Sequence, residues 1–261
     1  MGALDGKVAL VVGASKGLGR AIAQGVAREG AHVVPVARSE RLLRELSTDL
    51  SRLGVRSLPI AADVTDPLEV QRVVSTVESE FRRVDVLVHT PGGGLHAVAT
   101  EDERVKRQLQ ERRGPLSFWE IEVADFDRAI ALGLRSLFLC CRFVVPLMMK
   151  QGRGSIIAIG SYSGIPGRAQ NTDAAYCAEK GGAISLALAI SKELQPYNVA
   201  VNVLLPGLTL TTLTQDYEHW ATHPAIRRPE DVLPAALFLA AQEGNGVTGQ
   251  MIETRNWSPP A

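Results

Sequence analysis

The sequence predicts an α/β protein built on a doubly wound parallel sheet of about seven strands. Short β-branched runs alternate with longer helical patterns from end to end. The strand runs are apolar throughout rather than alternating, which suits strands covered on both faces. Short connections between alternating β and α segments then require right-handed crossovers in a parallel sheet. No repeat, low-complexity tract or linker divides the 261 residues. Folds of this class with about 250 residues commonly form one domain, so a single domain over 1–261 is expected.

Lys7–Val12 reads as the first buried strand and Gly17–Arg28 as the helix after it, closed by Gly30. His32–Ala37 is the second strand, and Arg41–Leu53 an amphipathic helix ending at Gly54. Val55–Ala61 is the third strand, after which Asp66–Pro67 opens a helix over Pro67–Phe81. Val84–His89 is the fourth strand. A long connection leads to a helix over Asp125–Lys150, a strand over Ser155–Gly160 and a helix over Ala174–Leu194. Ala200–Leu205, Pro229–Ala241 and Gln250–Glu253 supply a strand, a helix and a last strand. Thr100–Arg113 breaks the rhythm. Its pairs four apart, Glu103/Arg107 and Gln108/Arg112, predict a charged helical insertion, either a solvated helix without chemistry or a lid or assembly contact.

The 28 Lys+Arg balance 28 Asp+Glu, which removes any general case for nucleic acid or an anionic membrane as partner. An apolar fraction of 46% with 21% charged residues argues against disorder. Three cysteines, with Cys140 and Cys141 adjacent, make no zinc or CxxC spacing and fit reduced thiols in a cytoplasmic protein. Val8–Val12 is too short for a secretory segment. Arg142 and Pro146 interrupt the longest apolar stretch, Leu137–Met149, so no membrane span is expected.

The first strand runs directly into Gly13-Ala14-Ser15-Lys16-Gly17-Leu18-Gly19 and a helix. Such glycines let the chain turn sharply and let a pyrophosphate approach the helix N-terminus, where free N–H groups and the dipole favour anions. In this strand–turn–helix setting the motif predicts a Rossmann dinucleotide site rather than a packing turn. The end of the second strand then selects the nucleotide. Ala37-Arg38-Ser39 offers no carboxylate before Glu40 for a ribose 2′-hydroxyl, whereas Arg38 and Lys16 suit a 2′-phosphate. NADP(H) is therefore the expected cofactor, the plainer alternative being two surface cations. Asp63-Val64 lies where an adenine passes; Asp63 either accepts from its amine or caps the turn before Asp66.

Tyr176-Cys177-Ala178-Glu179-Lys180 puts a phenol and an ammonium on one face of one helix. A cation so placed favours phenolate and is expected to lower the phenol pKa from about 10. The tyrosine can then protonate a carbonyl oxygen or take a proton from an alcohol. Ser161, ending the Ser155–Gly160 strand, can polarise the same oxygen.

With these parts in series the sequence resembles the short-chain dehydrogenase/reductase family over nearly its whole length. Gly13–Gly19, Arg38, Asp63, Val84–Gly92, Ser161, Tyr176/Lys180, Pro206-Gly207, Arg228–Asp231 and Val247–Gln250 carry the resemblance. It implies an NADP(H)-dependent oxidoreductase that reduces a ketone to an alcohol by hydride transfer. Tyr176 would be the proton donor, Lys180 would also bond the nicotinamide ribose, and Ser161 would stabilise the reacting oxygen. Ser15, Lys16, Gly17, Leu18, Ser39, Val64, Thr90 and Gly92 would join Gly13, Gly19, Arg38 and Asp63 along the cofactor. Pro206, Gly207, Thr209 and Thr211 would hold its carboxamide side. A homodimer or homotetramer pairing the long helices Asp125–Lys150 and Ala174–Leu194 is implied as well.

The departures bear on mechanism. Gly133 stands where the family has a catalytic Asn that helps hold a proton-relay water. Its main-chain carbonyl can still bind such a water, so Gly133→Asn is expected to be tolerated. His89-Thr90-Pro91-Gly92 replaces the family's Asn-Asn-Ala-Gly turn and removes two amides that tie the sheet together. Two extra residues precede Tyr176, so Ser163 competes with Ser161, which is preferred because it ends the strand. These changes motivate two other readings: a non-catalytic NADP(H)-binding regulator, and an atypical member performing another carbonyl-directed reaction such as epimerisation. The small-molecule substrate is expected to be a partly apolar ketone or its alcohol. Leu208, Leu213, Tyr217 and Trp220, opposite Trp119, Tyr162 and Ile165, either line its pocket or are ordinary core, and Arg168 either holds an anionic group or is solvated. A hydrolase reading fails, because the centre of Gly160-Ser161-Tyr162-Ser163-Gly164 is Tyr rather than Ser.

Overall fold

The computed structural model describes residues 2–112, 114–169, 173–211, 214, 222–255 and 257–258. Seven parallel strands form one sheet in the order β3-β2-β1-β4-β5-β6-β7. They are β1 Val8–Val12, β2 His32–Ala37, β3 Ile60–Ala61, β4 Val86–His89, β5 Gly154–Ile159, β6 Val199–Leu205 and β7 Met251–Glu253. The helices are α1 Gly17–Arg28, α2 Glu40–Ser51, α3 Pro67–Phe81, α4 Gly94–Ala99, α5 Glu103–Arg112, α6 Val123–Ile130, α7 Ser136–Gln151, α8 Ala174–Leu194 and α9 Leu233–Ala240. The doubly wound parallel sheet that the sequence predicts is the one observed. Strand order reverses between β1 and β4, and an open sheet of this kind forms its ligand crevice at such a point, beyond the carboxyl ends of the strands.

Both faces of the sheet are covered, which explains why its strands carry no polar alternation. Ala9 and Val11 of β1 enter a core with α1, α2 and α9, while Val8, Leu10 and Val12 enter a second core with α3, α7 and α8. Cys140 and Cys141 lie in that second core as free thiols, and burial pushes both above the ordinary thiol range. By length and composition the helical run Val123–Gln151 is apolar enough to cross a membrane, contrary to the expectation drawn from Arg142 and Pro146. In the fold it packs Leu137, Val144 and Met148 against the sheet.

Three local features differ from expectation. The predicted strand Val55–Ala61 shrinks to Ile60–Ala61 and one isolated bridge, Val33 to Ser57. Pro35 is the cause. Val33 exchanges hydrogen bonds with Arg56 and Leu58 on the β3 side, and Pro35, two residues on, has no N–H to continue that ladder. The connection after β4 contains α4, unforeseen, ahead of the foreseen charged helix α5. Val105 and Leu109 of α5 pack with Leu95 and Val98 of α4 and with Ala175 of α8 in a small third core. Ion pairs Arg104–Asp125 and Arg128–Asp102, both 2.7 Å, clamp this segment to α6. The segment is thus a helix packed by its apolar face with its charged face largely exposed; Arg113 lies outside the described residues. Finally, the long helix expected over Asp125–Lys150 is interrupted by a π-helical turn, Ala131–Arg135, carrying Gly133.

Candidate active site

A cleft of about 1780 Å³ opens at the carboxyl ends of β1, β2, β4, β5 and β6. It exceeds the ~300–1,000 Å³ of a single small-ligand pocket, leaving room for a dinucleotide and a substrate together. Its floor is the β1–α1 turn. A Cβ on Gly13 would sit 2.3 Å from Thr90 Oγ1, and one on Gly19 would sit 2.3 Å from the Gly13 carbonyl oxygen, so neither position admits a side chain. Lys16, the N-cap of α1, makes no side-chain capping bond. The first-turn N–H groups of α1 therefore face the cleft without a side-chain acceptor at the cap, a cradle that fits a pyrophosphate. Thr90 ties this floor together, its backbone N–H and its hydroxyl both donating to the Val12 carbonyl.

Ser15, Lys16, Gly17, Leu18, Arg38, Ser39, Asp63, Val64, Gly92, Pro206, Gly207, Thr209 and Thr211 all line the same cleft. Arg38 is ion-paired with Glu101, just ahead of α5, with both side chains about half exposed. Asp63 does cap its turn, Oδ1 accepting from the backbone N–H and the hydroxyl of Thr65, while also lining the cleft. Across the sheet, Thr254 donates to the Pro206 carbonyl and fixes the turn after β6.

At the deep end, Asp173 caps α8 by accepting the Tyr176 N–H at 2.8 Å. This presents Tyr176 to the cleft with its hydroxyl hydrogen-bonded to Ser161. Ser163 takes no such position; its backbone N–H donates to Ser161 Oγ at 3.2 Å. One helical turn on, Lys180 places its ammonium 6.0 Å from the Tyr176 ring centroid and donates to the Ile159 carbonyl at 3.0 Å. Contrary to expectation, the phenol is raised above its ordinary value. Burial is the largest cause, and the opposing pulls of Lys180 and Ser161 do not offset it. A phenol held protonated is a proton donor at neutral pH.

Comparison with known proteins decides what these parts belong to. Residues 7–222 match the short chain dehydrogenase family. The chain belongs to that family. Among curated relatives, the 3-oxoacyl-[acyl-carrier-protein] reductase FabG of Thermotoga maritima is 34% identical over 257 residues, covering 95% of this chain and 96% of the relative. Its Escherichia coli counterpart is 32% identical over 256 residues, covering 95% of both. A solved 3-ketoacyl-(acyl-carrier-protein) reductase from Brucella melitensis, complexed with NADH, superposes with a TM-score of 0.81 at 27% identity, over 96% of this chain and 97% of that one. A short-chain type dehydrogenase/reductase from Mycobacterium marinum superposes with a TM-score of 0.79 at 26% identity, over 96% and 94%.

The departures from the family pattern acquire physical causes in this fold. His89, in place of an Asn, is fully buried and bonded through Nε2 to Ser136 Oγ at 2.8 Å, tying β4 to α7. Desolvation, aided by the nearby Lys180 charge, lowers it to about 3, so the ring is neutral. Gly133, in place of the catalytic Asn, faces the carboxylate of Glu179. A Cβ there would lie 2.1 Å from Glu179 Cδ, so Gly133→Asn would have to displace a buried carboxylate, which counts against the expected tolerance. Sequence reasoning passed over Glu179, although it stands inside the Tyr–Lys motif.

On the substrate side, Tyr162 and Leu208 line the cleft, while Trp119 and Ile165 do not; Trp119 is an exposed residue elsewhere. Leu213, Tyr217 and Trp220 lie outside the described residues. Arg168 pairs with Glu253 at 3.7 Å at the cleft edge. His96, unforeseen as a lining residue, sits with Nδ1 4.0 Å from the buried Asp173 carboxylate.

Proposed function

We propose that this chain is an NADP(H)-dependent carbonyl reductase, cytoplasmic, with Tyr176 as the proton donor to a ketone oxygen. One observation carries the reading: a protonated phenol, bonded to Ser161 and backed by Lys180, faces the same cleft as an uncapped helix N-terminus. The β1–α1 turn would hold the pyrophosphate, Arg38 and Lys16 the 2′-phosphate, and the 206–211 segment the carboxamide. When bound, the reduced nicotinamide supplies the hydride. Ser161 donates to the substrate carbonyl oxygen and orients it, and Tyr176 delivers its proton as negative charge develops there. Lys180 lies behind the phenol and stabilises the anion left by that transfer.

The names of the relatives make a 3-oxoacyl thioester the first substrate to test. NADPH consumption in the presence of such thioesters and of simple ketones should be followed at the nicotinamide absorbance band. Tyr176→Phe should lower turnover by ~100-fold or more with NADPH affinity nearly intact. Turnover that survives the substitution would assign the proton to another group. A chain that binds NADPH but consumes none with any of these carbonyls would favour the regulator reading instead.

A further inference from the structure

Glu179 is a carboxylate buried completely, beside the most sensitive charge in the site. Its Oε2 accepts the Gly94 N–H at 2.9 Å and the Gly93 N–H at 3.2 Å, and its Oε1 lies 3.2 Å from Lys180 Nζ. Two glycines from separate elements leave space for it. A Cβ on Gly92, after β4, would fall 2.1 Å from Glu179 Oε1, and one on Gly133, in the π turn, 2.1 Å from Glu179 Cδ. An unpaired carboxylate in such a place is strongly unfavourable, so its partners are obligatory. Lys180 is fixed in turn, its ammonium shared among Glu179, the Ile159 carbonyl and the Pro91 carbonyl.

We infer that Glu179 is the positioning residue of the Tyr176/Lys180 pair: seated in the room left by Gly133 and Gly92, it anchors the Lys180 ammonium and offsets its charge where that charge faces the phenol. The inference rests on Tyr176 as the proton donor and adds the group that governs how readily that proton leaves. Removing the anion leaves an uncompensated cation beside the phenol and makes phenolate easier to form. Among the described residues, the other groups facing Tyr176 are few. Asp173 caps its helix, Ser161 bonds its hydroxyl, and His96 adjoins Asp173 from α4. His89 on β4 is neutral, and the π turn's only charged residue, Arg135, bonds the Thr65 carbonyl.

The test titrates the phenolate absorbance of the unliganded protein, with Tyr176→Phe chains subtracted to isolate Tyr176. Glu179→Gln should move this ionisation down by about one pH unit. The alkaline limb of ketone reduction should move the same way, which a purely structural defect would not produce. An unmoved or upward-moving phenol overturns the inference. A phenol that moves in a protein that reduces no ketone leaves the inference standing and removes the reductase reading instead. A second arm reads thermal unfolding. Gly133→Ala should lower the midpoint by roughly 5 °C in the native chain and by little when Glu179→Ala is also present. An equal loss in both backgrounds would show that Glu179 is not what Gly133 accommodates.

Discussion

His89 shows how one buried side chain can set the acid limit of the protein. Its folded value, about 3, lies below the ordinary 6.5, so the unfolded chain binds a proton that the folded chain refuses. Stability from this source is full above about pH 6.5 and declines as pH falls toward 3, at about 1.4 kcal/mol per pH unit. Urea denaturation at pH 7 and pH 5 should therefore differ by about 2 kcal/mol through this residue alone. His89→Asn should flatten that difference; an equally steep acid loss in the variant would place its origin at other groups. Residue by residue, the sequence was most legible where partners are close along the chain. Tyr176 and Lys180 share a helix face, and Asp66–Pro67 caps its own helix, Asp66 accepting from Leu68 N–H. Glu179 was not legible, because it points off that face toward Gly133, which lies 46 positions earlier.

At the scale of elements, the segment bearing α4 and α5 matters more than its charge-rich sequence suggested. Its first helix, α4, ends two residues before Glu101, which holds the guanidinium that the 2′-phosphate of NADPH would need. An exposed pair of this kind is worth about 0–1 kcal/mol, which a dianionic phosphate displaces at modest cost. Glu101→Gln should accordingly tighten NADPH up to ~5-fold and leave NADH unchanged, while Arg38→Asp should narrow or reverse the preference; calorimetric titration of both nucleotides reads the result. Equal shifts for both nucleotides would place the phosphate elsewhere. The helices and most strands were legible from their apolar period. The third strand was not, since whether Pro35 starves a neighbour of a hydrogen bond depends on which side of the ladder its missing N–H faces. Nor was α4, six residues long and opened by two glycines that read as loop.

For the whole molecule, the parallel order, the crossovers and the crevice all followed from the β–α rhythm, because those depend on chain handedness more than on any contact. Assembly does not follow in the same way. Among the described residues the outward surface of the α6–α7 region keeps Phe126 and Phe138 substantially exposed, at 37% and 50%. An oligomer pairing the long helices would cover Phe138. Light scattering should then report a multiple of 28.0 kDa, and Phe138→Glu should return it toward a single chain. A mass already at one chain in the native protein would dispose of that pairing.

The small third core couples the two scales in one more respect. Ala175 is one of its members and Tyr176 is the next residue, so the proposed acid is hinged to the smallest of the three packing clusters among the described residues. Heat that melts this unit ahead of the sheet would swing the phenol out of register while far-ultraviolet dichroism still looked native. Working life at elevated temperature would then be governed by a few leucines and valines around α4 and α5, and thermostabilising substitutions belong there rather than in the already dense interior of the sheet.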